Sequence, residues 1–489
     1  MDDRLPSLRA AFAGRLLTDA ADMAAYLTDW RGKWTGAALA VAQPDDAAGV
    51  AGVLRWCHAH RVPVVPQGGN TGLSGGATPD GSGAALVLSL TRLNRVRHID
   101  AVNNTMVVEA GVTLQQVQDA AREAGRLFPL SLAAQGSCTI GGNLATNAGG
   151  VQVLRYGNTR DLCLGLEVAT PQGDLWDGLR GLRKDNTGYD LRDLYIGSEG
   201  TLGVITAAVL KLFPRPAALA VAFVAVPSPE AAVELLQLCQ ARLGAALTAF
   251  ELMGATCIGL VERHVPNTRV PLAEAAPWYV LMEVSDARDE SGAQTALEAV
   301  LEQALERELA VDAALSASLA QFQSLWALRE HISESQAAEG KTIKHDIALP
   351  ISRIPEFITQ TDAAIAAAFP GVRLVVFGHL GDGNLHYNLS PAPGTRDDAQ
   401  AVADFVALEA PLNRLVHDAV VAHGGSISAE HGLGVLRRDE SARYKSPVEL
   451  QLMQAIKHAL DPRGLMNPGK LLDPARVASA APVPTLSED

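Results

Sequence analysis

Two histidines flank a predicted turn near residue 380. Residues 381–384 read Gly-Asp-Gly-Asn, a strong turn signal between two strand-like runs. If these four residues form the loop, His379 lies directly opposite His386, with Cβ atoms about 5 Å apart. Two imidazoles at that spacing can share one metal ion, and Asn388 lies on the same strand face as His386. The alternative for each histidine is an ordinary packed or surface role.

A third metal ligand is available in the Gly-bounded segment Ser426–Gly434, which contains adjacent Glu430 and His431. Two histidines and one glutamate with an open fourth position form a catalytic zinc arrangement. Because neighbouring residues point in different directions, Glu430 can bind the metal while His431 faces a substrate. Imidazole titrates near neutral pH, so His431 is the candidate general base. The alternative is a surface Glu–His pair.

Two cations are candidates for binding a substrate carboxylate. Arg329 and Ser333 are four residues apart in a predicted helix, which places them on one face. Lys344 stands in a strand-like run, where it shares one side with Asp346 and Ala348. For either cation alone, the alternative is a solvated surface charge.

Three glycine clusters occupy residues 67–76, 136–150 and 197–205, and the chain contains neither G-x-G-x-x-G nor a Walker A motif. Glycine lets the backbone approach a ligand closely, and consecutive N–H groups form concave nests for anions. The first two clusters contain no Lys or Arg, so main-chain donors would hold a diphosphate. One such cluster alone indicates a tight turn, whereas three in one domain favour a nucleotide site.

These clusters resemble the FAD-binding domain shared by vanillyl-alcohol oxidase and p-cresol methylhydroxylase. The resemblance implies that the first cluster wraps the FAD diphosphate, that residues 129–150 run toward the isoalloxazine, and that the third meets the adenine and ribose. No His falls within the first loop, so we expect non-covalent FAD. The cofactor residues implied are Pro66, Gly68, Gly69, Asn70, Thr71, Gly72, Gly75, Gly76, Pro129, Gly136, Ser137, Thr139, Gly141, Gly142, Asn143, Thr146, Gly149, Gly150, Glu199, Gly200, Gly203 and Ile205.

The C-terminal half resembles the D-2-hydroxyglutarate and D-lactate dehydrogenase family and the glycolate oxidase subunits. The resemblance implies a D-2-hydroxy acid, with D-2-hydroxyglutarate favoured, oxidised by hydride transfer to flavin N5. It implies that Asn467 returns to the flavin. The other implied roles are zinc binding by His379, His386 and Glu430, general base catalysis by His431, and substrate binding by Arg329, Ser333, Lys344, Asn388 and His431.

Departures from the family pattern leave the exact acid open. The family often has Thr where this chain has Ser333, and Tyr and Ser where it has His345 and Ala348. One alternative is therefore oxidation of D-lactate or glycolate at a metal-poor site. An alternative of another class is a non-catalytic flavin subunit that relays electrons, although such a relay needs no base.

The pattern of predicted helices and strands divides the chain into regions that must position these residues. After an N-terminal helical segment (1–34), residues 35–215 alternate short apolar runs with helical stretches, as a two-lobed FAD-binding domain of the p-cresol methylhydroxylase type would. Two prolines at 214 and 216 mark a boundary. Residues 216–473 mix strand-like runs with Ala/Glu-rich helices, which predicts an α+β substrate and metal domain with an antiparallel sheet. Residues 474–489 are expected to form a flexible tail.

Composition narrows the partners of the protein. The 489 residues carry a net charge of −14, which argues against nucleic acid. Five cysteines without a C-x-x-C, no secretory signal and no transmembrane segment predict a cytoplasmic protein. We expect a quinone, a cytochrome or an electron-transferring flavoprotein as electron acceptor, and a homodimer as the oligomeric state.

Overall fold

The computed structural model describes residues 4–286 and 290–473. Within them the chain divides into two compact units, each discontinuous in sequence. The first unit contains residues 4–149, 158–214 and 430–473, and the second contains residues 150–157 and 215–429. The predicted tail at 474–489 lies outside the described residues.

The strands are numbered along the chain. They are β1 (Gly14–Leu17), β2 (Ala40–Pro44), β3 (Val64–Gln67), β4 (Leu86–Ser89), β5 (Val96–Asp100), β6 (Thr105–Glu109), β7 (Arg126–Leu127), β8 (Cys163–Ala169), β9 (Leu175–Gly178), β10 (Val204–Lys211), β11 (Phe213–Pro214), β12 (Ala218–Val226), β13 (Leu247–Gly254), β14 (Trp278–Asp286), β15 (Asp312–Leu315), β16 (Asp346–Ala348), β17 (Arg373–Gly378) and β18 (Asn384–Ser390).

The helices follow the same order. They are α1 (Leu5–Ala10), α2 (Ala20–Leu27), α3 (Ala47–His60), α4 (Leu114–Glu123), α5 (Ile140–Thr146), α6 (Val153–Tyr156), α7 (Leu191–Tyr195), α8 (Pro229–Leu243), α9 (Ala255–His264), α10 (Glu290–Glu306), α11 (Leu319–Glu330), α12 (Ile332–Ala338), α13 (Ile354–Ala368), α14 (Ala399–Ala407), α15 (Glu409–Ala422), α16 (Arg438–Tyr444) and α17 (Pro447–Leu460). No helix in the described ranges combines the length and apolarity needed to cross a bilayer.

The first unit contains two main sheets. One has the strand order β1-β2-β4-β3, in which β4 runs parallel to both β2 and β3. The other is antiparallel, with the order β5-β6-β10-β8-β9. All four residues of β4 are buried, which explains why this strand reads as a continuous apolar run instead of an alternating one.

The C-terminal segment of the first unit joins the β3 edge of its four-stranded sheet. Met466 forms a parallel bridge with Val64, flanked by the bonds from Val64 N to Leu465 O (2.8 Å) and from Asn467 N to Val64 O (2.7 Å). Met466 is 1% exposed and belongs to the same hydrophobic core as Val64 and Trp56. Residues near both ends of the chain therefore build one core.

The second unit is organised around a seven-stranded antiparallel sheet with the order β15-β12-β14-β13-β17-β18-β16. Eight of the nine residues of β12 are buried, and helices α8, α10 and α11 contact this strand. Side chains from the sheet and from α9 and α11, including Phe223, Tyr279 and Trp326, form the core. The antiparallel sheet and the mixed helices and strands confirm the predicted α+β class.

A helix break separates Arg329 from Ser333. α11 ends at Glu330 and α12 begins at Ile332, with His331 between them at φ −84° and ψ 2°. Arg329 is buried, whereas Ser333 is exposed. The prediction that the two side chains share one helical face is wrong, because the 3.6-residue repeat does not continue through the break.

Candidate active site

A cleft in the first unit is bounded by the three glycine segments. The space between its walls, which is open to solvent, amounts to about 960 Å³, and His431 also lines it. The residues predicted to contact the cofactor that line this cleft are Pro66, Gly68, Gly69, Asn70, Thr71, Gly72, Gly76, Thr139, Gly141, Gly142, Asn143, Thr146, Glu199, Gly200, Gly203 and Ile205.

Close packing against the second glycine segment accounts for two of these glycines. A Cβ at Gly69 would lie 1.9 Å from the carbonyl oxygen of Ser137, and one at Gly68 would lie 2.3 Å from Thr139 Oγ1. Neither position therefore accommodates a side chain. The first two glycine segments are packed directly against each other in the wall of the cleft.

Four buried side-chain polar atoms of the first unit have no hydrogen-bond partner within the described residues, and two of them, Thr139 Oγ1 and Asn467 Oδ1, belong to residues predicted to contact the cofactor. Thr139 is the N-cap residue of α5, yet its side chain makes no capping bond. Asn467 Nδ2 donates to the carbonyl oxygens of Gly76 (2.9 Å) and Glu199 (2.7 Å), which fixes the amide. A buried polar atom without a partner is unfavourable. Such atoms, together with the main-chain and hydroxyl groups of the lining, fit a polar ligand such as FAD.

The loop that carries His431 is bound to the wall of the cleft. Glu199 Oε1 accepts from Leu433 N and Oε2 from Gly434 N, both at 2.8 Å. Ser74 Oγ donates to the carbonyl oxygen of His431 at 3.2 Å. Burial raises the pKa of Glu199, although the two N–H donors oppose this shift. The Glu199 side chain, which was predicted to contact the cofactor, thus also supports the segment of the candidate base.

Some predicted cofactor residues lie outside this lining. In the first unit these are Gly75, Pro129, Gly136, Ser137, Gly149 and Asn467, while Gly150 belongs to the second unit. The lining also contains residues that the sequence prediction omitted, namely Gln67, Ser74, Ala77, Leu90, Ala145, Tyr195, Ser198 and Val204. Most of these immediately adjoin predicted positions. Leu90 and Tyr195 stand apart from the glycine clusters and carry no local signal.

His379 and His386 lie in one hairpin of the second unit, but in a different register from the predicted one. His386 pairs with Phe377, and the turn comprises residues 379–383, with Gly383 at φ 86°. The predicted direct pairing of His379 with His386 is wrong, because His379 belongs to the turn. The longer turn still brings the imidazole rings to a centroid distance of 5.6 Å, with ligand nitrogens within 4.8 Å of each other.

A fully buried carboxylate, Glu251 on β13, lies beside this histidine pair. Its Oε1 is 2.7 Å from His379 Nδ1, and its Oε2 accepts from Arg329 Nε at 2.8 Å. Burial would raise the pKa of Glu251, but its interactions with His379 and Arg329 hold that pKa below its ordinary value. The Arg329 guanidinium stacks 4.8 Å from the Phe377 ring, which in turn contacts His386. Arg329 and both histidines therefore share one cluster.

A hydrogen-bonded carboxylate on Nδ1 is typical of metal-binding histidines. When Nδ1 of His379 carries the proton that Glu251 accepts, Nε2 is the unprotonated nitrogen, and this is the form in which it can bind a metal. Two neutral imidazoles close together form the core of a zinc site. The residues of this hairpin therefore fit a divalent cation.

The remaining predicted substrate residues differ in burial and in hydrogen bonding. Asn388 is buried, with Nδ2 donating to Gln336 Oε1 at 3.0 Å and Oδ1 accepting from His345 N at 3.2 Å. Its amide is therefore committed to protein partners. Lys344 is half-buried and precedes β16, and Ser333 is exposed. Arg329 is linked to the predicted metal ligand His379 through Glu251.

Glu430 follows the last residue of the second unit. Ala429 N donates to the carbonyl oxygen of Asp346 at 3.2 Å, and Asp346 pairs with His386 in the sheet. The chain thus leaves the second unit beside the strand that carries one histidine. It continues directly into Glu430 and then His431.

Comparisons with known proteins agree with these features. Residues 38–178 match a family model described as FAD binding domain, and residues 215–471 match one described as FAD linked oxidases, C-terminal domain. The structure of p-cresol methylhydroxylase with substrate bound aligns at a TM-score of 0.75 and 16% identity, covering 96% of this chain and 97% of the other. This likeness shows a shared fold.

Two relatives match this chain over nearly its whole length. A D-2-hydroxyglutarate dehydrogenase of Xanthomonas citri pv. viticola is 42% identical over 475 residues, which cover 96% of this chain and 97% of the relative. The mitochondrial D-2-hydroxyglutarate dehydrogenase of Bos taurus is 39% identical over 472 residues, covering 96% and 84%.

Proposed function

Since this chain belongs to the FAD-linked oxidases and is an oxidoreductase acting on CH–OH donors, we propose that it oxidises D-2-hydroxyglutarate to 2-oxoglutarate. The two relatives that share this activity by name support the choice of substrate. The proposal includes a divalent cation, zinc, at the histidine pair. A metal there is consistent with the 2-hydroxy acid class, because the hydroxyl and C1 carboxylate of such acids can bind one metal ion together.

The observation that carries the proposal is the cluster of Arg329, His379 and His386 around buried Glu251. It combines a guanidinium, which binds carboxylates through paired N–H groups, with two imidazoles, which bind metals. A 2-hydroxy dicarboxylic acid offers both complementary groups. In this scheme the substrate carboxylate that is remote from the C2 hydroxyl pairs with Arg329 and Lys344. The C2 hydroxyl and the C1 carboxylate bind the metal.

The cleft, the metal ligands and the base have separate roles in this scheme. The glycine-lined cleft holds FAD, which when bound supplies the acceptor for the hydride from C2 at its N5 atom. His379, His386 and Glu430 hold zinc, which when bound lowers the pKa of the substrate hydroxyl. His431 takes the hydroxyl proton on a ring nitrogen. Loss of one proton and one hydride converts the hydroxy acid to the 2-oxo acid.

A second candidate substrate is D-lactate, which lacks the far carboxylate. Two observations favour it: Ser333 is exposed on a helix separate from that of Arg329, and Ala348 provides no hydroxyl. Fewer polar contacts to the far end of the substrate would suit a shorter acid.

Anaerobic reduction of the bound flavin tests these alternatives. D-2-hydroxyglutarate, D-malate, D-lactate and glycolate are mixed in turn with the protein, and loss of the flavin absorbance is followed, with the L-enantiomers as controls. D-2-hydroxyglutarate should reduce the flavin fastest and yield 2-oxoglutarate. Faster reduction by D-lactate would favour the second candidate, and no reduction by any acid would refute the proposal.

A further inference from the structure

Glu251 has no role in the scheme above, although it contacts two of its members. It stands in β13 among apolar neighbours and is 0% exposed. A carboxylate at such depth is unfavourable unless it is paired and hydrogen-bonded. Its partners are His379, 128 positions away in the chain, and Arg329, 78 positions away.

The two carboxylate oxygens of Glu251 favour one tautomer of His379 and one orientation of the Arg329 guanidinium. The Oε1 contact at 2.7 Å favours the imidazole form of His379 that carries its proton on Nδ1, which leaves Nε2 as the metal ligand. The Oε2 contact at 2.8 Å occupies Nε of Arg329 and leaves the terminal amino groups as the groups that face a carboxylate. One side chain thus orients a metal ligand and a substrate-binding cation together.

We propose that Glu251 is a positioning residue that holds His379 for zinc and Arg329 for the substrate carboxylate. This inference rests on the proposed function, because it assigns those roles to His379 and Arg329. Glu251 adds to the site a residue from β13, a strand outside the histidine hairpin. Because it contacts both His379 and Arg329, it couples the affinity for the metal to the affinity for the dicarboxylate.

The Glu251→Gln variant separates this role from simple packing. Glutamine has nearly the shape of glutamate but only one acceptor oxygen, so its NH₂ group must face either His379 Nδ1 or Arg329 Nε. If the NH₂ group faces His379, the imidazole proton moves to Nε2 and the metal ligand is lost. If it faces Arg329, two donors oppose each other and the guanidinium moves. Both arrangements damage one half of the site.

Zinc affinity measured by chelator competition on the FAD-loaded protein, without substrate, is the first readout. We expect Glu251→Gln to weaken zinc binding by about 10- to 100-fold, the usual effect of removing such a partner of a metal ligand. The second readout is the split between KM and kcat. With zinc saturating, KM for D-2-hydroxyglutarate should rise more than kcat falls, because Arg329 contributes binding.

The matched control is Glu283→Gln on the neighbouring strand β14. Glu283 is also buried and also accepts hydrogen bonds on both carboxylate oxygens, from Thr248 Oγ1 and Gln152 Nε2 on Oε1 and from Trp326 Nε1 on Oε2. It should retain wild-type zinc affinity and KM. Wild-type zinc affinity and KM in Glu251→Gln, or equal losses in both variants, would overturn the inference.

A second variant covers the case in which Glu251→Gln does not fold. Glu251→Asp keeps the charge and both acceptor oxygens on a shorter side chain, so it should bind zinc more weakly than the wild type but more tightly than Glu251→Gln. Unchanged zinc affinity in Glu251→Asp would also overturn the inference. Failure of the proposed function gives a different result: a wild-type protein that binds no zinc or does not oxidise D-2-hydroxyglutarate.

Discussion

The hydroxyl of Thr139 offers a test of the cofactor cleft that does not depend on catalysis. Oγ1 is buried and has no partner among the described residues, which is unfavourable in the protein without cofactor. Thr139→Val removes the hydroxyl and keeps the shape of the side chain. Relief of the unpaired group should stabilise the FAD-free protein by about 1–3 kcal/mol. Loss of a hydrogen bond to the charged cofactor should cost about 1.5–3 kcal/mol of FAD affinity, which is about 10- to 100-fold in Kd.

If this reasoning holds, Thr139→Val makes the FAD-free protein more stable but weakens its binding of FAD, and two measurements test these opposite effects. Urea unfolding of the FAD-free variant should show an increased free energy of unfolding, and titration with FAD should show a weaker Kd. Thr159→Val is the control, because Thr159 is equally buried but its Oγ1 donates to Ala148 O at 2.6 Å. That variant should lose stability and keep FAD affinity. Wild-type FAD affinity in Thr139→Val, or a less stable FAD-free protein, would refute the assignment of this hydroxyl to the cofactor.

Four further predictions follow from the same structure. His431→Ala should retain the flavin absorbance but slow its anaerobic reduction by about 10²- to 10⁴-fold, measured by stopped flow. Dialysis against EDTA should abolish turnover and added Zn²⁺ should restore it, with metal content checked by atomic absorption. Gly69→Ala should be isolated without FAD, because its Cβ would meet Ser137 O at 1.9 Å. Burial lowers the pKa of Lys470 from 10.5 to about 8, so the folded state disfavours the charged amine. The free energy of unfolding, measured in urea, should therefore rise with pH between about 8 and 10.5, because the unfolded state binds more protons in that range. Lys470→Met should abolish this rise.

The fold class was predictable because its signals are local. Alternating apolar runs and helices predicted the mixed architecture, and the apolar run at 220–226 proved to lie within β12. The glycine clusters indicated the cleft, because a close approach of two backbones excludes side chains wherever it occurs. The wall of the cleft nevertheless includes Leu90 and Tyr195, which lie outside the glycine clusters and reach the cleft only through the tertiary fold.

The errors arose where distant residues decide the outcome. The hairpin register depends on a turn in which Gly383 has a positive φ and Gly381 packs on Leu154, where a Cβ would come within 2.8 Å. No turn motif encodes that contact. Glu251 is a single acid within an apolar strand, and its partners are remote in sequence, so no spacing rule could find it.

The bridge between Val64 and Met466 has a consequence for biosynthesis. The ribosome adds roughly 5–20 residues per second, so the residues at 465–467 that flank β3 are translated roughly 20–80 seconds after it. The whole of residues 215–429 is translated in the interval. Asn467, which donates to the carbonyl oxygens of Gly76 and Glu199, and the loop at 433–434, which binds the Glu199 side chain, are translated after the residues they contact. The contacts that these late segments make with Gly76 and Glu199 can therefore form only after the whole of the second unit has been translated.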